Sequence, residues 1–198
     1  MFRFIENMRR RRENAERLYA VVQLQARRPE FFLSHNVPDT VDGRFELILL
    51  HAFLFWNRSR GEGKEGAKLA QALFDAMFRD MERALRLIGI GDLAVPHQMR
   101  RMMKGFKGRA MAYREGLENP DDPEVMLGAI SRNLFGTIEE ITDDGPLYWF
   151  AAYIKRQAGY LAAQPWTDLA AGIISFEGTE HVEEISKKSD DSRMAARG

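Results

Sequence analysis

The chain contains no cysteine, which excludes disulfide bonds, thiolate metal sites and cysteine nucleophiles together. It also lacks a long apolar run: the most apolar stretch, Leu47 to Trp56, includes His51 and is far shorter than the roughly 20 residues that cross a bilayer. Its 29 basic and 29 acidic side chains cancel, so no overall basic field attracts nucleic acid. We therefore expect neither a membrane-spanning helix nor DNA as a partner.

The signatures of common enzyme classes are absent as well. The sequence has no Gly-x-Ser-x-Gly, no His-Glu-x-x-His and no dinucleotide fingerprint. His35, His97 and His181 show no metal-ligand spacing to His51. We predict no catalytic residue, no metal site and no cofactor. A helical enzyme with scattered carboxylates is the least favoured function.

Apolar residues recur at three- and four-residue intervals along most of the chain, which is typical of amphipathic α-helices. We predict an all-α fold: one domain of about six to seven helices over 1–176, then a disordered polar tail over 177–198. The central helix, at about 41–58, is apolar nearly all round and therefore belongs inside the protein. We expect its His51 to be a hydrogen-bonded core residue. The other helices are predicted at 2–28, 66–87, 97–119, 124–134 and 147–163, with a short last element at 169–176.

The start of the central helix carries a polar pattern with two interpretations. Asp39 or Thr40 can cap the helix, because a side-chain oxygen there accepts free backbone N–H groups, and Arg44 can pair with the neighbouring acids. Capping does not explain Gly43, since glycine weakens a helix interior by about 1 kcal/mol relative to alanine. Gly43 therefore indicates close approach by another backbone or by a bound partner, which favours a functional surface.

The helix predicted at 97–119 contains a stripe with three methionines. Such a stripe usually belongs to the core, but methionine is also over-used on surfaces that must fit apolar helices. Gly105 and Gly108 lie in the middle of the helix, where they would let another helix approach closely. The stripe consists of Met99, Met102, Met103, Phe106, Ala110, Tyr113 and Leu117.

Two motifs of the chain resemble the ubiquinol-cytochrome c chaperone family. The first reads Val-Pro-Asp-Thr at 37–40, Asp-Gly-Arg-Phe-Glu at 42–46 and Leu-His at 50–51. The second reads Phe-x-Gly-Arg-x-x-x-Tyr at 106–113. The resemblance extends from about Val21 to about Ala163, although Lys107 stands where the family commonly has an aromatic residue.

This resemblance implies an assembly chaperone for the cytochrome bc1 complex, not an enzyme. Its partner would be newly made cytochrome b or other bc1 subunits, held in a groove of methionine and aromatic side chains with charged rims. A small partner protein and the ribosome are further candidate partners. The expected location is the cytoplasm, peripherally at the cytoplasmic face of the inner membrane. The residues expected to contact a partner are Asp39, Asp42, Gly43, Arg44 and Glu46 on one surface, and Gly105, Phe106, Gly108, Arg109 and Tyr113 on the other.

Two basic clusters leave an alternative open. The run Arg9, Arg10, Arg11 and Arg12 is either a solvated helix end or a contact for anionic lipid or ribosomal RNA. Together with the cluster Arg100, Arg101, Lys104 and Lys107, it supports a basic helical adaptor that binds RNA of the ribosome. Binding of that kind would weaken steeply with salt, whereas binding in a hydrophobic groove would not.

Overall fold

The structure, a computed structural model, describes residues 2–87, 89–136 and 143–178, without the side chains of 2–4 and 101–103. Within these ranges the chain is helical and has no strand, which confirms the all-α prediction. A 3₁₀ turn at Arg60–Glu62 joins α3 to α4. The helices are α1 (Phe2–Ala26), α2 (Glu30–Leu33), α3 (Val41–Ser59), α4 (Gly63–Leu87), α5 (Val95–Glu118), α6 (Pro123–Leu134), α7 (Gly145–Ala163) and α8 (Trp166–Ala170).

The central helix is α3, as predicted. Every residue from Leu49 to Phe55 is buried, because α3 contacts α1, α4, α5, α6 and α7. This part of α3 is enclosed on all sides and has no face left for exposed polar side chains, which explains its apolar composition. The core of the fold is therefore built around α3.

Two short helices were not predicted from the sequence. α2 follows Pro29 and buries Phe31 completely against the core. α8 begins at Trp166, directly after Pro165, and Gly172 lies just beyond its end with a φ of 84°. A left-handed glycine at that point ends a helix. The short element predicted at 169–176 is therefore wrong in position, since the helix ends at Ala170 and the chain through Gly178 is not helical.

The turn before α3 explains why a glycine stands at position 43. The side chain of Thr40 caps the helix by accepting a hydrogen bond from the backbone N–H of Gly43, at 3.1 Å. A Cβ atom at Gly43 would lie 2.0 Å from the carbonyl oxygen of Pro38. The close approach that the sequence indicated is thus made by the chain's own backbone.

His51 is a hydrogen-bonded core residue, as expected. Its Nδ1 lies 2.7 Å from the carbonyl oxygen of Leu47, and its Nε2 lies 2.7 Å from the hydroxyl of Tyr153. Because a carbonyl only accepts, Nδ1 carries the proton and Nε2 accepts from Tyr153. The side chain of Gln25 donates to the same hydroxyl at 2.9 Å. Burial lowers the pKa of His51 to about 4, so the ring is neutral at physiological pH.

The segment after α8 returns along α7 and is held by two glutamine side chains. Gln157 donates to the carbonyl of Glu177 at 2.8 Å and accepts from its N–H at 3.1 Å. Gln164 makes the same pair of bonds to Ser175, at 2.9 and 3.1 Å. Phe176, between them, lies edge-on to His51, with 5.1 Å between ring centroids. The predicted tail thus begins with two residues bound to α7, and its remainder, 179–198, lies outside the described residues.

Candidate functional site

A cleft of about 640 Å³ lies between the first half of α3, the connection from α4 to α5, α5 itself and the end of α6. It brings together half of the residues predicted to contact a partner: Asp42, Gly43, Glu46, Gly105 and Arg109. The rest of its lining is Val41, Phe45, Leu85, Ile90, Gln98, Arg132, Asn133, Leu134 and Gly136.

An ion pair between Glu46 and Arg109 joins the two predicted surfaces. Nη2 of Arg109 lies 2.6 Å from Oε1 of Glu46, and the two side chains are 28% and 8% exposed. Burial raises the pKa of Glu46 to about 7 against the opposing effect of Arg109, and the negative charge of Asp42 raises it further. Within the part of the chain that the structure describes, Oε2 of Glu46 and Nε of Arg109 have no hydrogen-bond partner. A buried pair with unpaired polar atoms adds little to the stability of the fold, but it links α5 to α3 at this point.

The two aromatic residues of the second predicted surface do not line the cleft and pack against neighbouring helices instead. Tyr113 is 1% exposed and packs against Phe53 of α3, with 5.4 Å between ring centroids. Its burial and the nearby charge of Glu46 raise its pKa, so its hydroxyl stays neutral. Phe106 is partly buried and packs against Phe74 of α4, with 4.6 Å between centroids. Both rings therefore support the position of α5.

Asp39, Arg44 and Gly108 do not line the cleft. Nε of Arg44 donates to Oδ1 of Asp39 at 2.6 Å, and both side chains are more than half exposed. The guanidinium of Arg44 also lies over the ring of Phe32, 5.5 Å from its centroid. Gly108 is exposed, and a Cβ atom there would have no neighbour within 4 Å. These three residues offer surface for contact outside the cleft.

The methionine stripe does not line the cleft among the side chains that the structure describes, where Phe45 is the only aromatic lining residue. Met99 is partly buried against the core, and Met102 and Met103 are outside the described side chains. The apolar wall consists instead of aliphatic residues such as Leu85 and Ile90. Leu85 lies in the last turn of α4 and Ile90 in the connection from α4 to α5, and sequence reasoning singled out neither residue.

Neither a metal site nor a spanning helix is found in the described ranges. They hold no group of three or more histidine or acidic side chains that could bind a metal ion. None of their helices combines the length and the apolar character needed to cross a membrane.

Comparison with known proteins agrees with the two motifs. The family model described as ubiquinol-cytochrome C chaperone matches residues 33–176. Ubiquinol-cytochrome-c reductase complex assembly factor 1 of Xenopus laevis is 26% identical over 140 residues, which cover 71% of this chain and 68% of the frog protein. The assembly factor 1 of Mus musculus is 27% identical over 140 residues, again 71% of this chain but 46% of the mouse protein. The chain thus spans about half the length of the mouse relative.

A solved structure shares the fold. The crystal structure of the Cbp3 homolog from Brucella abortus superposes with a TM-score of 0.77 at 32% sequence identity, covering 89% of this chain and 96% of that chain. This likeness covers a larger share of the chain than the family model, which matches residues 33–176. By its motifs, its matched residues and its fold, the chain belongs to the ubiquinol-cytochrome c chaperone family, whose members are assembly factors rather than enzymes.

Proposed function

We propose that this protein assists assembly of ubiquinol-cytochrome c reductase by binding newly made cytochrome b, and that the cleft between α3, α5 and α6 is where an apolar segment of that subunit docks. The observation that carries the proposal is the Glu46–Arg109 ion pair. It connects the two motifs of the family resemblance, which are far apart in the sequence, inside one cleft. A location at the cytoplasmic face of the inner membrane is part of the same proposal.

The lining of the cleft suits an apolar segment. Val41 stands at its edge with 72% of its surface exposed, and Phe45, Leu85 and Ile90 are only partly buried. Covering these side chains would remove apolar surface from water, which is the main driving force for association of this kind. Newly made membrane helices need that shielding until partner subunits replace it.

The charged groups would set the orientation of the bound segment. Asp42 and Arg132 are exposed residues that line the cleft, and the Asp39–Arg44 pair lies outside it. Exposed charged groups contribute little affinity, but they discriminate between partners and between alternative positions of a bound segment. The proposal therefore assigns affinity to the apolar wall and selectivity to the charges.

The test is recovery of cytochrome b by the tagged protein from detergent-solubilised native membranes, quantified by mass spectrometry. Val41→Glu places a charge in the apolar wall and should lower the recovery about tenfold or more. Leu24→Glu is the matched control, because Leu24 on α1 is also 72% exposed. Equal recovery with both variants would show that the cleft is not the docking site.

The salt concentration separates this proposal from an RNA adaptor. Recovery of cytochrome b should persist from low salt to about 0.5 M salt, whereas phosphate-dominated binding falls steeply. Recovery of ribosomal proteins alone, lost at high salt, would contradict the proposal and favour the adaptor. A small partner protein and the ribosome stay predictions, and the same mass spectra test both.

A further inference from the structure

A second groove, of about 820 Å³, lies between the N-terminal part of α1 and α4. α1 contributes Ile5, Met8, Arg9 and Arg12, whose spacing places them on one face of the helix. α4 contributes small and polar side chains, among them Ala67, Lys68, Ala72 and Arg79. The groove is separate from the cleft, since the two share no lining residue.

The apolar residues of this groove continue the core stripe of α1 beyond the core. Ala15 and Val22 of that stripe are fully buried. Ile5 and Met8 occupy the same stripe further toward the N-terminus, yet they are 58% and 52% exposed. Within the described part of the chain, Ile5 and Met8 are therefore much less covered than the rest of the stripe. The N-terminal part of α1 thus exposes an apolar edge to solvent.

Cations dominate the lining of the groove. Five basic side chains, Arg9, Arg11, Arg12, Lys68 and Arg79, line it together with one acid, Asp75. The carboxylates paired with them, on Glu13, Glu16 and Glu65, are not among the lining residues. These pairs are largely exposed, and exposed pairs bind too weakly to prevent the cations from meeting other anions.

We propose that this groove and the exposed edge of α1 form a docking surface for an anionic phospholipid bilayer. Ile5 and Met8 enter the boundary between headgroups and acyl chains, and the five cations contact lipid phosphates. An amphipathic helix with basic residues on its polar face and apolar residues on the face toward the acyl chains binds membranes in this way. Nucleic acid would use the cations but would leave Ile5 and Met8 in water. The inference rests on the proposed function in one respect: binding of newly made cytochrome b, a membrane protein, would bring this protein close to a bilayer.

The test is flotation of the full chain with vesicles of phosphatidylcholine, alone or with about 30 mol% phosphatidylglycerol. Binding should require the anionic lipid and should weaken at about 0.5 M salt without disappearing, because the apolar contacts are not screened. Each cation near an anionic surface raises the partition coefficient about fivefold. Arg9→Gln/Arg12→Gln should therefore lower binding more than about tenfold, and Ile5→Ser/Met8→Ser should lower it at both salt concentrations.

Two controls keep the outcomes distinct. Lys155→Gln removes an exposed cation of α7, and Leu24→Ser removes an exposed apolar side chain of α1 outside the groove; both should bind vesicles as the unchanged protein does. No binding to anionic vesicles, or equal loss with the controls, would overturn the inference. Capture of an acidic protein by the groove without any vesicle binding would also overturn it and would favour a protein partner. Val41→Glu, which tests the cleft, should float normally, so a failure of the proposed function is distinguishable from a failure of bilayer docking.

Discussion

Tyr153 of α7 donates a hydrogen bond to His51 of α3 across 2.7 Å, and both residues are completely buried. The same hydroxyl accepts from Gln25 of α1. One phenol oxygen thus connects three helices in the middle of an apolar core. Such a connection specifies a single arrangement of the helices, because any other arrangement leaves buried polar atoms unpaired.

Tyr153→Phe should destabilise the protein by about 1–3 kcal/mol, because it leaves Nε2 of His51 and the amide of Gln25 without their partner. Urea unfolding followed by circular dichroism measures the change. Tyr160→Phe is the control: its hydroxyl lies at the surface near Ser175, so the free energy of unfolding should change by less than about 0.5 kcal/mol. Similar losses for both variants would contradict the role given to Tyr153.

Gly43→Ala should be destabilising, by about 1–3 kcal/mol, because the new methyl group meets the Pro38 carbonyl and the turn before α3 must move. Gly108→Ala should instead be neutral or stabilising by up to about 1 kcal/mol, since the position is open and alanine favours helix. Thermal unfolding of the two variants side by side measures the difference. A neutral Gly43→Ala would show that the turn adapts freely.

The buried carboxyl of Glu46 should make stability depend on pH. Its pKa is raised to about 7 in the folded state, above the value near 4.3 of an unfolded chain, so the folded state holds the proton more tightly. The free energy of unfolding should therefore fall as the pH rises between about 4.5 and 7. His51 acts in the opposite sense, since its lowered pKa costs stability as the pH falls from about 6.5 toward 4.

Subtracting the pH profile of Glu46→Gln from that of the unchanged protein isolates the effect of Glu46, because His51 contributes to both profiles. The difference should favour the unchanged protein more at pH 5 than at pH 8. A difference independent of pH would mean that Glu46 is ionised throughout this range.

Arg44→Ala and Gly108→Leu should leave a folded helical protein that no longer supports bc1 assembly. Arg44 pairs with Asp39 at an exposed site, and Gly108 has open space around it, so neither change disturbs the core. Complementation of a strain that lacks the gene, read from the cytochrome b absorbance of its membranes, measures function. Circular dichroism confirms folding. Unfolding of either variant would make that position structural.

Much of the fold could be predicted because periodicity reports burial directly. The long helices follow from apolar residues at helical spacing, and Thr40 follows from the chemistry of capping. The single turn of α2 could not be predicted, because four residues show no period. Its position depends on Phe31, which reaches the core through contacts with α7 that local sequence does not encode.

The candidate site was predictable only in part. The motifs pointed to Glu46 and Arg109 separately, but their ion pair depends on how α5 crosses α3. The burial of Tyr113 also depends on how α5 crosses α3. Its position in the sequence shows on which face of α5 it lies, but not which helix covers that face. Ile90 enters the cleft from the connection between α4 and α5, whose path no local pattern specifies, and Leu85 reaches it from the end of α4.

The glutamine contacts on α7 also extend the folded unit past the end of α8. The amide of Gln157 is completely buried, and both its nitrogen and its oxygen form hydrogen bonds with the backbone of Glu177. Removing the residues after α8 would leave that amide unpaired and would uncover the ring of His51 that Phe176 contacts. A shortened version of this protein therefore has to retain the chain through at least Glu177, past the end of α8, to keep these contacts.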